Sequence, residues 1–185
     1  QIILVNCDKI TIENQFMSDT DIGIELLKTD NCNIRNIEFS DNNLYGIYLR
    51  QSFTNKINGN TISNNDIGVF LDNSFNNKII GNKISGNKGL GIHLQGESSV
   101  NNKIYKNNFI NNGENAFDTG INIYDDIKFG NYWDDYREKY PDAKRNLMKP
   151  WTWKTRYKIP GGFNWDLAPL IKQWPNSVSI DVSRN

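Results

Sequence analysis

Two cysteines, two methionines and one histidine in 185 residues leave little with which to build a soft metal site. Cys7 and Cys32 have neither the spacing of a CxxC redox centre nor that of a zinc finger. Charge of one sign is also missing: 21 Lys and Arg balance 21 Asp and Glu, so electrostatics names neither a nucleic acid nor an anionic membrane as partner. No apolar run approaches the roughly 20 residues that span a bilayer. No N-x-S/T sequon offers a glycosylation acceptor. No leader pattern is present either, and the start at Gln1 reads as that of a processed or partial chain. Hydrophobic residues make up only 37%, with 12% aromatic, which leaves the expectation of a soluble folded protein.

The polar surplus is asparagine, 30 residues of it, and it comes in a repeat. Gly23-Ile-Glu-Leu26, Gly46-Ile-Tyr-Leu49, Gly68-Val-Phe-Leu71 and Gly91-Ile-His-Leu94 recur every 22 or 23 residues. A second ladder runs through Ile57-x-x-Asn60-x-Ile62, Ile79-x-x-Asn82-x-Ile84 and Ile104-x-x-Asn107-x-Phe109. Ile34-x-x-Ile37-x-Phe39 and Thr11-x-x-Asn14-x-Phe16 read as imperfect earlier copies. Apolar residues alternate at period two for a few positions and are then broken by Asn, Gly, Ser or Asp, the pattern of short strands between tight turns. Strands this short, repeating without a long return, pair in parallel with the equivalent strand of the next copy, ~4.8 Å away. The expected fold is an all-β, right-handed parallel β-helix of about five coils. Its core is Ile24, Leu26, Ile47, Leu49, Val69, Leu71, Ile92 and Leu94. Asparagine suits the corners because it tolerates left-handed geometry and its amide can bond the amide one coil away. Asn14, Asn60, Asn82 and Asn107 form the expected internal ladder, with Ile37 as a break.

Periodicity ends near residue 112, and all five tryptophans, Trp133, Trp151, Trp153, Trp165 and Trp174, lie beyond it. Coils over 1–112, a cap over 113–170 and a free strand or linker over 171–185 follow, because a bare terminal coil exposes unpaired backbone and an apolar cross-section. Trp133 and at least one of Trp151 and Trp153 are expected to be buried there.

The G-I-x-L coils, Asn107-Asn-Phe-Ile-Asn-Asn112, Gly130-Asn-Tyr-Trp-Asp-Asp-Tyr136, Tyr140-Pro-Asp-Ala143, Tyr157-Lys-Ile-Pro-Gly-Gly162 and Pro169-Leu170 together resemble the NosD-type right-handed β-helix proteins. That family sits within a larger group of carbohydrate-binding and sugar-hydrolase β-helices, with relatives among archaeal surface proteins. The resemblance covers most of the chain, and Arg156, Trp165 and Ala168 depart from its pattern. The family name implies copper handling, but one His, two Met and two Cys on distant coils are a poor copper(I) set, so no metal or cofactor is expected.

The residues after each repeat isoleucine or valine, Glu25, Tyr48, Phe70 and His93, stack in one outward column, a candidate strip for a sugar chain or a neighbouring protein. No catalytic set is expected: Asp125, Asp126, Asp134 and Asp135 are read as structural or solvated groups of the cap. The column Lys56, Lys78 and Lys103 is read as a solvated face. Cys7 and Cys32 are separated by 25 residues, near one coil, which leaves a disulfide and a pair of free thiols both open. The edge Ile2, Ile3, Leu4 and Val5, with the alternating Val178, Ile180 and Val182, would serve assembly by strand addition. The leading expectation is thus a non-catalytic, self-associating structural protein of the cell surface or exterior, partnered by itself or other envelope proteins. The alternative is a polysaccharide-binding or polysaccharide-cleaving module, and copper processing comes third.

Overall fold

A computed structural model describes residues 1–175, and it is a parallel β-helix with three strands per coil. The first sheet stacks Ile2–Val5, Ile22–Leu27, Tyr45–Arg50, Ile67–Asp72, Leu90–Gln95 and Glu114–Asp118. The second stacks Thr11–Glu13, Asn33–Arg35, Lys56–Asn58, Lys78–Ile80 and Lys103–Tyr105. The third stacks Phe16–Ser18, Glu38–Ser40, Thr61–Ser63, Lys83–Ser85, Asn108–Ile110 and Tyr132–Trp133. Every pair in these sheets is parallel.

All eight expected core residues are fully buried. The repeat glycines are dictated by close approach: a Cβ on Gly68 would stand 2.6 Å from the carbonyl oxygen of Gly91 one coil on. The first sheet also shows that the coils run further than periodicity indicates. Glu114–Asp118 pairs in register with Leu90–Leu94, placing Ala116 over Ile92, and Tyr132–Trp133 pairs with Asn108–Phe109. This sixth coil escapes the repeat signature because Asn115 takes the glycine position and Asp118 the leucine position. The coil boundary therefore lies near 133 and not at 112.

The asparagines divide into two populations. Outer ones, among them Asn14, Asn36, Asn64 and Asn111, hold left-handed turns with φ of 53–59°. Buried ones build three amide ladders, in which each Nδ2 donates to the Oδ1 of the next coil. One runs Asn42, Asn65, Asn87, Asn112; another runs Asn55, Asn77, Asn102, Asn122; the third runs Asn60, Asn82, Asn107, Asn131. Asn14 belongs to the first population and is absent from the ladder. Ile12 pairs with Ile34 and Met17 with Phe39, so Gln15 is the residue opposite Ile37, and Phe16 faces outward.

All three ladders donate in one direction, so each needs an acceptor at its C-terminal end. The last coil and the cap supply carboxylates. Asn122 donates to Asp118, Asn131 to Asp166, and Asn112 through Asn115 to Asp134. The apolar column Met17, Phe39, Ile62, Ile84, Phe109 continues as aromatic rings: Trp133 stacks on Phe109 at 4.4 Å and Tyr157 on Trp133 at 4.3 Å. Trp133 and Trp153 are buried, and Trp151 is 40% exposed. Tyr157–Lys158 and Trp165–Asp166 close the cap as a two-stranded antiparallel pair.

Cys7 and Cys32 are free thiols. These coils are offset by 22 residues, so Cys7 lies against Thr29 and Cys32 against Ile10, whose backbone N–H donates to the Cys32 sulfur at 3.3 Å. A 25-residue separation thus places the two cysteines three residues out of register. Ile2–Val5 forms the first strand of the first sheet, with Ile3 and Val5 outward. Val178, Ile180 and Val182 lie outside the described residues.

Candidate functional site

The outward column of the first sheet forms in register as expected and gains a member. Glu25, Tyr48, Phe70, His93 and Phe117 follow one another across five strands. Asn115-Ala-Phe-Asp118 is part of the family resemblance, but it lacks the Gly-Ile-x-Leu repeat that would have aligned Phe117 with the column. The rings lie face to face: Tyr48 on Phe70 at 5.2 Å and 7°, Phe70 on His93 at 4.9 Å and 20°. Tyr45 leans on both Tyr48 and Phe70. Stacking along the axis takes up the mutual faces of Tyr48, Phe70 and His93, while Phe117 meets His93 edge-on at 5.5 Å and 80°. Phe70, expected to be exposed, is 9% exposed for this reason. Burial also holds the His93 imidazole below its ordinary pKa. Glu25 stands at the start of the column beside Tyr48, and no ring covers it.

A second aromatic cluster lies where the cap meets the second sheet, with Lys106 over the Trp174 ring at 5.0 Å and Lys128 over the Trp151 ring at 5.7 Å. Trp174 is clamped by Asn108, whose Oδ1 accepts its backbone N–H at 2.7 Å and whose Nδ2 donates to its carbonyl at 2.9 Å. The Trp174 ring meets Phe129 edge-on at 5.1 Å, and Phe129 leans on Trp151 at 5.7 Å. Trp151 is fixed through its indole N–H to the Lys128 carbonyl, and its own carbonyl receives Ile171 N–H. A cavity of about 430 Å³ lies among Phe129, Arg145, Trp151, Leu170, Lys172 and Trp174. On the other side of Trp174 a second trough of about 360 Å³ is lined by Lys56, Asn58, Tyr105 and Lys106. Lys106 sits 4.9 Å from the Phe129 ring and 5.0 Å from the Trp174 ring, and its ammonium pairs with Asp126 at 2.8 Å. The two troughs share Trp174 as a common wall, the first mostly apolar and both lined by cations. The only sequence signal for it was the concentration of tryptophan beyond residue 130.

The family model for the periplasmic copper-binding protein NosD matches residues 1–138. The chain belongs to the NosD family. No curated protein matches it. Among solved structures, a double mutant of the periplasmic alginate epimerase AlgG aligns with a TM-score of 0.52 at 22% identity, over 80% of this chain and 33% of that one. The A-module of the Azotobacter vinelandii mannuronan C-5 epimerase AlgE6 aligns with a TM-score of 0.43 at 13% identity, over 66% and 52%. The AlgG likeness shows the fold, and the chain spans about a third of that epimerase.

Copper does not fit the donors that this NosD-family chain presents. Among the described residues no three His, Cys, Asp or Glu side chains converge on a metal position. His93 stacks on Phe70 and meets Phe117 edge-on, Met17 is buried in the core, Met148 is exposed, and the cysteines are separate.

The carboxylates of the Asn-Tyr-Trp-Asp-Asp-Tyr motif and its surroundings hold the cap. Asp125 accepts Ile127 and Leu167 N–H, and Asp126 accepts Lys128 and Phe129 N–H in addition to Lys106. Asp134 ends a ladder, while Asp135 accepts Tyr157 Oη and pairs with Lys139. These last two line an acidic cavity of about 720 Å³ with Glu114 and Glu138. Deeper in, the Asp166 carboxyl accepts N–H from Asn131, Trp133 and Ala168. Burial outweighs those donors and pushes it up to about 7. Burial raises Asp118 as well.

Proposed function

We propose that this NosD-family chain is a non-catalytic polysaccharide-binding module of the cell envelope, and that the groove around Trp174 holds the glycan. The observation that carries the reading is the groove's composition: Trp151, Trp174 and Phe129 beside Arg145, Lys172 and Lys106. Indole faces stack on the apolar C–H faces of sugars, and flanking donors bond hydroxyl oxygens. The first-sheet column, whose rings stack on one another, serves stability in this reading. Asp118, Asp134 and Asp166 are taken up by ladder ends, which removes them as the facing acid and base of a glycosidase. The AlgG neighbour is a periplasmic alginate epimerase, and the protein that gives the NosD family its description is periplasmic as well. An envelope location agrees with both.

Affinity electrophoresis against a panel of soluble polysaccharides tests the reading, with Trp174→Ala and Trp151→Ala as probes. At least one polysaccharide should retard the protein, and each variant should weaken retention roughly tenfold, the scale of losing one buried aromatic contact. A panel that retards nothing, or variants that bind as the parent does, would remove the proposal.

A further inference from the structure

We propose that the polysaccharide is acidic, with carboxylate or sulfate groups along its length, and that it runs from the Trp174 groove down the outward face of the second sheet; this rests on the groove being the glycan site. That face carries Lys56, Lys78 and Lys103 in strict register on three successive strands, all exposed. Two residues along the same strands stand Asn58, Ile80 and Tyr105, which floor the trough beside Trp174. The lysine column and the aromatic groove are therefore one surface.

The charges of this surface are unbalanced. Among the described residues Lys56, Lys78, Lys103, Arg145 and Lys172 make no ion pair, and no carboxylate lines either trough. Asp126, the nearby acid, is engaged by Lys106. Like charges stacked at strand spacing, ~4.8 Å, repel one another, weakly so where they are exposed, and an anion lying across them would turn that repulsion into attraction. Net charge over the whole chain is zero, so this is segregation and not general basicity. The opposite sign predominates in the cavity of Glu114, Asp134, Asp135 and Glu138, where Lys139 offsets Asp135. A polymer with one anion per sugar presents charge at intervals comparable to the coil spacing. A neutral glycan would leave the column uncompensated.

The test compares polygalacturonate, dextran sulfate and neutral dextran, measured by titration calorimetry at low and physiological salt. The parent should bind at least one acidic polymer at least tenfold more tightly than dextran, and salt should weaken that binding. The triple variant K56Q/K78Q/K103Q should lose roughly tenfold for the acidic polymer, the sum of several exposed charge contacts. Its thermal midpoint should be no lower than the parent's, because repulsion has been removed, which separates lost binding from lost fold. Trp174→Ala should weaken the acidic polymer too, which distinguishes a groove from diffuse attraction. Equal binding of dextran, an unaltered triple variant, or equally tight binding of single-stranded DNA would overturn the acidic-glycan inference and leave the groove reading standing. Failure of every polysaccharide would remove both.

Discussion

The coils and the cap close the same apolar cross-section by different means. In the coils each contact is a copy: Ile on Ile, Leu on Leu, amide on amide, with backbone pairing at every level. In the cap no contact repeats. Trp133 lies between Phe109 and Tyr157, Tyr136 stacks on Trp153, and Asp118, Asp134 and Asp166 receive the ends of three ladders. Repetition satisfies a polar ladder everywhere except at its end, because the last donor has no copy of itself to meet. The cap's unique residues are what that end requires.

The largest expected effects compare the two regions directly. Ile47→Asp puts an unpaired charge inside a copied column and should abolish folding, costing several kcal/mol. Trp133→Ala empties one level of the aromatic stack and leaves Asp166 without its indole donor. It should cost about 3–5 kcal/mol in urea denaturation while far-UV dichroism keeps the coil signal. Equal collapse of both variants would mean that coils and cap are a single cooperative unit.

Mild pH should act on the two regions with opposite sign: the buried carboxyl of Asp166 loses stability as pH rises, whereas His93 in the coils, held below its ordinary pKa by burial, loses it as pH falls. An unfolded aspartate titrates near 4, whereas folded Asp166 keeps its proton to about 7. The folded state binds more protons between these values, so this contribution is complete below pH ~4 and lost as pH rises through about 7. The loss is up to about 4 kcal/mol, and Asp118 adds to it in the same direction. Chemical denaturation from pH 4 to 8 should show stability falling, and Asp166→Asn should flatten the slope. A profile rising with pH in the parent would contradict the assignment.

A finer comparison uses two adjacent asparagines. Asn65 is a buried rung that accepts from Asn42 and donates to Asn87, so Asn65→Ala should cost about 2–3 kcal/mol. Asn64 holds a turn at φ 59°, where Gly86 stands one coil on, so Asn64→Gly should change stability by less than about 0.5 kcal/mol. Similar midpoints for the two variants would erase the distinction between ladder and turn. Smallest of all, a reductant should not shift the melting temperature, since both thiols are free; Cys7 should react with a thiol reagent before the buried Cys32. A reductant-sensitive midpoint would restore the disulfide.

Within the coils the sequence was legible wherever six-residue strands carried Gly-Ile-x-Leu, and every core residue read from that pattern is buried. It misled at Asn14, where a three-residue strand offers too little alternation to fix register, and a slip of one residue exchanges inside for outside. The Tyr48, Phe70 and His93 column was correctly aligned, but alignment says nothing about which way a ring turns its face.

By itself, then, the sequence determined a parallel β-helix, its inward residues and, through Asn60, Asn82 and Asn107, one of its three amide ladders, because one local pattern is written again on each coil and each copy constrains the next. Only the tertiary structure decided the sixth coil, the carboxylate ends of the ladders and the groove in which Lys56 meets Trp174. Those contacts join residues that occur once, up to 118 positions apart, and no period in a sequence reports a meeting that happens a single time.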